Sequence, residues 1–149
     1  MKTLSIETLR THKACDLDRR VRDLQTTLGR VVPETEGISL ETWFGLDSTT
    51  LGDALWVTCV VFEKTDVAVE VARLAAKRTG CPRAAHDAAL AARFNAEPYW
   101  VADDADDACA AATISAARDA CADADYAAAD AELTAQWNDL YRLLDLETR

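Results

Sequence analysis

Residues 101–149 read VADDADDACAAATISAARDACADADYAAADAELTAQWNDLYRLLDLETR. The stretch holds no Gly and no Pro, so nothing in it must break a helix. Alanine, the strongest helix former, recurs through it, and apolar anchors return at helical spacing. Ala110, Ile114, Ala117, Cys121, Ala124 and Ala128 step by four and three and make one stripe. Tyr126, Leu133, Trp137, Leu140 and Leu144 make a second stripe on another phase. One unbroken helix over 103–145 would reach about 65 Å. That is long for a chain of this size, so a kink or break is expected at 123–125.

Charge is concentrated in the same stretch. It carries 12 Asp and Glu against 3 Arg, whereas the other 100 residues carry 14 acids against 13 bases. About nine of the ten net negative charges therefore sit on the last third. A net charge of −10 argues against direct contact with nucleic acid, because release of counterions from phosphates needs Lys and Arg. It favours solubility and fast association with a basic protein.

Outward from there, the composition points to one domain, 1–149, with a near-neutral part, 1–98, and an acidic alanine-rich part, 99–149. Five cysteines, 15, 59, 81, 109 and 121, are an odd number and include no CxxC pair. The N-terminus lacks the apolar core of a secretory signal, and no window approaches the ~18 apolar residues of a membrane span. Reduced thiols in a cytoplasm, and no membrane, are the expectation.

The near-neutral part reads as a series of short helices. Ser5 opens the first, with Ile6 and Leu9 three apart. Asp16 or Asp18 offers a cap to the next, where Leu17, Val21, Leu24 and Leu28 form a stripe and Gly29 the end. Arg19, Arg20 and Arg22 lie off that stripe and read as a solvated face. Residues 31–37 read as a loop. Ser39 caps a helix carrying Trp43 and Phe44, and Asp47-Ser48 caps another with Leu51, Leu55, Cys59 and Phe62. Residues 56–62 are rich in β-branched and aromatic side chains, but a strand there would lack a partner, so helix is the expectation. Thr65 and Asp66 open a helix with Val67, Val71, Leu74 and Arg78, closed by Gly80. Pro82 opens one with His86, Leu90 and Phe94, ending near Asn95 and Pro98. Tyr99-Trp100 reads as an aromatic hinge. The expected fold is all-α: a compact bundle of six or seven helices with a long acidic C-terminal helix or helix pair.

The candidate chemistry is thin. Asp103-Asp104-Ala105-Asp106-Asp107 suits a helix N-terminus, where acids complement free N–H groups and the macrodipole. It also suits a contact patch for a basic partner. Metal binding is less apt, because hard cations want six or more oxygens and no EF-hand spacing is present. His12 and Cys15 form a Cys/His pair on paper, without a flanking signature. His86-Asp87 is half a triad, but the chain has four Ser and no GxSxG. Two His 74 positions apart make a zinc site unpromising. Neither GxGxxG nor GxxxxGK[ST] occurs. The four Trp, at 43, 56, 100 and 137, read as core rather than as a stacking platform. No catalytic residue, cofactor or metal is expected.

Leu9-Arg10…Ala14-Cys15, then Leu55-Trp56…Cys59, then Val69-Glu70…Ala72 and the Ala/Asp-rich run 108–131 resemble a loose set of small proteins of phages and bacterial mobile elements. Some of these resemble immunity proteins of polymorphic-toxin loci, and others anti-CRISPR inhibitors that occupy nucleic-acid-binding surfaces. The resemblance implies an interaction protein and transfers no catalytic residue. The expected function is a non-enzymatic inhibitor of a basic partner such as a CRISPR effector, nuclease or toxin. Asp103, Asp104, Asp106, Asp107, Asp119, Asp123, Asp125 and Asp130 would supply the field that stands in for phosphates. The alternatives are a toxin-neutralising immunity protein and a self-associating helical module, in which the alanine stripe would be a homodimer seam.

Overall fold

Ser5 and Ser39 set the first local structure. In the computed structural model of the chain, which describes residues 2–96, 102–122 and 126–146, each serine accepts the amide hydrogen of the threonine three residues on. The distances are 3.1 Å for Ser5 and Thr8 and 3.2 Å for Ser39 and Thr42. Such caps satisfy one of the orphan donors of a helix N-terminus. The helices they open are α1, Ile6–Thr11, and α3, Leu40–Phe44. Two-residue strands lead into the caps, β1 at Thr3–Leu4 ending just before Ser5 and β2 at Ile38–Ser39 ending on Ser39 itself, and the two pair antiparallel. Gly37 permits that approach: a Cβ there would stand 3.0 Å from Thr3 Oγ1. No periodic sign marks this pairing in the sequence, because two residues are too few to alternate.

Packing divides the chain into two units, Met1–Ala54 and Leu55–Thr148. The charge boundary at 98/99 is one of composition, whereas the packing boundary falls within α4, Leu51–Trp56. In the first unit, α2 (Leu17–Leu28) ends at Gly29 in the left-handed region, φ 65°. Leu4, Ile6, Leu9, Leu24, Leu40, Trp43, Phe44 and Leu46 are all buried. The Trp43 indole N–H donates to the Leu4 carbonyl at 2.7 Å, so the buried ring leaves no donor unpaired. Residues 31–37 hold no helix or strand, as expected.

In the second unit α4 runs on without interruption into a π-helical segment, Val57–Val61, closed by Phe62 N–H to the Val57 carbonyl at 3.1 Å. Helix, not strand, is thus the structure of 57–61, with the wider turn taking up the crowding of Val57, Thr58, Val60 and Val61. Three helices follow and pack on one another: α5 (Thr65–Thr79), α6 (Pro82–Ala96) and α7 (Ala102–Ala122). Then α8 (Tyr126–Leu144) packs on α5 and α7. The helix pair is the outcome at the C-terminus. Gln136 on α8 donates to the Ala117 carbonyl on α7 at 3.0 Å, whereas one straight helix would hold those residues about 28 Å apart. Residues 123–125, where the break was expected, lie outside the described residues, as do Pro98, Tyr99 and Trp100.

The fold is all-α, with eight α-helices among the described residues rather than six or seven. Several expected faces shift. On α6 the stripe is Ala84, Ala88 and Ala91, all buried, while His86 is exposed and Leu90 only half-buried. On α5 the core is Val67, Ala68, Val71, Ala72, Ala75 and Ala76. On α7 it is Cys109, Ala112, Thr113, Ala116 and Ala120, joined by Ala110 and Ala117, with Ile114 at its edge. On α8 Leu133 is exposed and the inward positions are Glu132, Gln136, Leu140 and Leu144. The physical reason is shared. Where helices meet at close range only alanine fits, and larger side chains move to the flanks.

Candidate partner-binding face

α7 begins at Ala102, so Asp103, Asp104, Asp106 and Asp107 fall in its first two turns. Carboxylates at that end complement the positive pole of the helix and its unpaired N–H groups. The side chains of Asp103, Asp104 and Asp106 lie outside the described residues, as do Asp123 and Asp125 entirely. Asp107 is exposed and shares the outward side of α7 with Ala111 and Arg118. Asp119 sits beside Arg118, with Nε to Oδ1 at 3.5 Å and its side chain 20% exposed. Asp130, on the first half of α8, is exposed, and its carboxylate has no partner among the described residues. Of the eight expected partner-binding residues, three therefore have described side chains, on two helices that pack together.

Two other carboxylates of the last third turn toward an arginine. Arg78, in the last turn of α5, holds both oxygens of Glu132, Nε to Oε2 and Nη2 to Oε1, each at 2.9 Å. Its Nη1 reaches Asp139 at 2.5 Å. Asp139 also pairs with Arg142 at 3.2 Å. The bond from Glu132 above all, with Asp139 behind it, holds Arg78 charged well above an arginine's ordinary range, against the opposing effect of burial. Gln136, fully buried one turn along, donates to Glu132 at 3.0 Å, while its own carbonyl oxygen has no partner among the described residues. Cys121 also lies within reach of Gln136, at 3.7 Å, and burial, with the Glu132 charge behind it, pushes its thiol up. Sequence reading passed over this cluster. The signal was present as Glu132, Gln136 and Asp139 at i, i+4 and i+7, a polar stripe facing inward.

The second unit also contains a cleft of about 620 Å³, where the α5–α6 turn meets the end of α7 and the first half of α8. The first unit has a basic groove of about 570 Å³ between α1 and α2, where Arg10, Lys13, Arg19 and Arg22 outnumber Asp16 and Asp18. Arg20 is not part of that solvated face. It is buried and pairs with Asp53, which also accepts from the Thr50 amide at 2.9 Å. Thr50 in turn accepts from the Asp53 amide at 3.2 Å, so Thr50 and Asp53 make a reciprocal cap on α4. The cap expected at Asp47-Ser48 is displaced because Ser48 instead donates to Asp23, from its amide at 3.0 Å and its hydroxyl at 2.7 Å.

The other sequence candidates do not converge. His12 Nδ1 bonds to the Thr8 carbonyl at 2.9 Å, along its own helix and not toward Cys15. His86 is exposed and Asp87 half-exposed on α6. Among the described residues no three His, Cys, Asp or Glu gather as a metal site, and no helix is long and apolar enough to cross a membrane. None of the five cysteines is in a disulfide; Cys15 is exposed, Cys59, Cys81 and Cys109 are buried, and Cys121 lies between. Trp43 is core, while Trp56 and Trp137 are half-buried, the latter edge-on to Tyr141 at 6.1 Å. No protein family, curated protein or solved structure matches the chain.

Proposed function

We propose that this chain is a non-enzymatic acidic protein that binds and inhibits a basic, nucleic-acid-handling partner, in the manner of a phage anti-CRISPR or other anti-defence protein. One observation carries the reading: nine of ten net negative charges fall on 101–149, four of them within five positions at the start of α7. A helical carboxylate array presents charge at fixed spacing, and a protein whose surface evolved to hold phosphates is attracted to such an array. Five cysteines outside any disulfide support a reducing compartment such as the cytoplasm. A homodimer joined through the alanine stripe has less support, because its members Ala110 and Ala117 are already buried within the chain.

The test replaces Asp103, Asp104, Asp106 and Asp107 together by Asn and measures binding to a purified CRISPR effector nuclease and to a basic ribonuclease toxin. The unaltered chain is expected to form a stoichiometric complex with one of them, associating about tenfold or more slowly at ~0.5 M than at ~0.05 M salt. The amide variant is expected to keep its helical circular dichroism and to associate as slowly at low salt as the parent does at high salt. Complex formation at an unchanged rate would remove the carboxylates from the mechanism. Binding to the ribonuclease alone would make the chain an immunity protein.

A further inference from the structure

The first half of α8 is fastened differently from the second. Between 127 and 135 only Glu132 is buried, whereas Leu140, Tyr141 and Leu144 are all buried further on. The fastening of the first half is therefore polar. Glu132 lies in the grip of Arg78, from α5. Gln136, one turn along, donates to the Ala117 carbonyl of α7 and to Glu132, each at 3.0 Å.

Neither fastening gains much from being closed. A buried carboxylate–guanidinium pair loses in hydration much of what it gains in attraction. Gln136 Oε1 is buried and meets no partner among the described residues, and water would supply one. The cleft of about 620 Å³ opens beside this half, between α8 and the α5–α6 turn, so apolar contact is thin there. A segment with few buried apolar contacts opens at low cost while the rest of the fold stays closed.

Two thiols lie against this half-helix. Cys81 is 5% exposed and shares the cleft wall with Glu132 and Ala135. Cys121 is half-buried and takes the Gln136 amide at 3.7 Å. Burial first, and the Glu132 charge second, raise the Cys121 thiol above its ordinary range, which keeps it protonated and unreactive while α8 is closed. Two further buried cysteines lie elsewhere in the unit. Cys59 sits in the π-helical segment, and Cys109 directs its thiol to the Ala91 carbonyl of α6 at 3.6 Å.

We propose that residues 127–136 form a strap that lifts from α5 and α7 while 140–144 stay docked, and that this opening admits an electrophilic alkene to Cys81 and Cys121. The inference is independent of the acidic binding function. In the reaction the thiolate sulfur bonds to one alkene carbon and a proton ends on the other, so nothing is released and no oxidant is needed.

The probe is N-ethylmaleimide, with modification of each cysteine followed by peptide mass spectrometry at increasing urea. In the unaltered chain Cys81 and Cys121 are expected to react with one shallow urea dependence, and Cys59 and Cys109 only with the steep dependence of global unfolding. Glu132→Gln keeps the shape and removes the charge. Without urea it is expected to raise the rates at Cys81 and Cys121 about fivefold or more and to leave Cys59 and Cys109 unchanged. Arg78→Lys should act in the same direction, because a lysine cannot hold both Glu132 oxygens in one plane. One steep dependence shared by all four cysteines would overturn the strap, since the opening would then be global. Rates at Cys81 and Cys121 that ignore urea and both variants would overturn it too, since the thiols would then be reached without opening. The urea slopes need no substitution, so they decide the matter if a variant fails to fold.

Discussion

Arg20 and Asp53 form an ion pair whose side chains are 7% and 23% exposed. The guanidinium of Arg20 can lie in the interior only because Asp53 meets it there, and Asp53 keeps its orientation through Thr50. Removing one member of such a pair leaves the other buried without a counter-charge. Arg20→Met is therefore expected to destabilise the chain by about 3 kcal/mol in urea unfolding. Arg20→Met with Asp53→Asn should cost less than the sum of the two single changes, and strict additivity would show that the pair is not coupled. Asp23 responds to pH instead. Two bonds from Ser48, the hydroxyl's the larger in effect, hold its carboxyl below the ordinary range despite some burial. The unfolded chain then takes up that proton at higher pH than the folded chain does. The stability from Asp23 is fully present above about pH 4, the unfolded value, and is lost as pH falls through the lower folded value. The melting temperature of Asp23→Asn should lie below the parent's at pH 7 and converge on it at the acid end. Parallel curves would refute the linkage.

Among the helices, α5, α6 and α7 meet through Ala72, Ala75, Ala76, Ala84, Ala88, Ala116 and Ala120. Helix content was legible in the sequence, since breakers and caps mark it locally: Ser5, Ser39, Gly29, Gly80 and Pro82 all stand where helix ends require them. The inward faces were less legible. In a segment that is alanine on every side, periodicity carries little contrast, so a stripe drawn through His86, Leu90, Ile114 and Leu133 follows residue size rather than the inward face. Glu132 was missed for the opposite reason: a carboxylate is read as solvated until an Arg78 from another helix is brought to it. That clamp has a consequence for α8. Arg78→Ala would leave Glu132 inside without its cation, and α8 depends on few other inward residues. Amide hydrogen exchange is expected to quicken across α8 while the amides of α6 and α7 keep their protection. Uniform acceleration through all four helices would show that α8 does not open separately. Arg78→Lys should reproduce part of the effect, because a lysine cannot hold both Glu132 oxygens in one plane.

Taken over all 149 residues, 26 acids stand against 16 Lys and Arg. Net charge keeps copies apart at neutral pH and vanishes near the isoelectric point of about 4.6. Solubility should therefore pass through its minimum near that pH, recorded as turbidity along an acid titration. A minimum at neutral pH would mean that exposed apolar surface, not charge, governs association.

Composition and spacing determined the helical class, the places where helices begin and end, and the weight of negative charge in the last third. These are local or summed properties, set by backbone propensity, caps and counting. The tertiary structure alone decided which alanines are core, that Arg20 and Glu132 lie inside, and that α8 folds back on α7. Each of those depends on a neighbour distant in sequence, and neither close helix approach nor a buried counter-charge leaves a periodic mark on a single strand of residues.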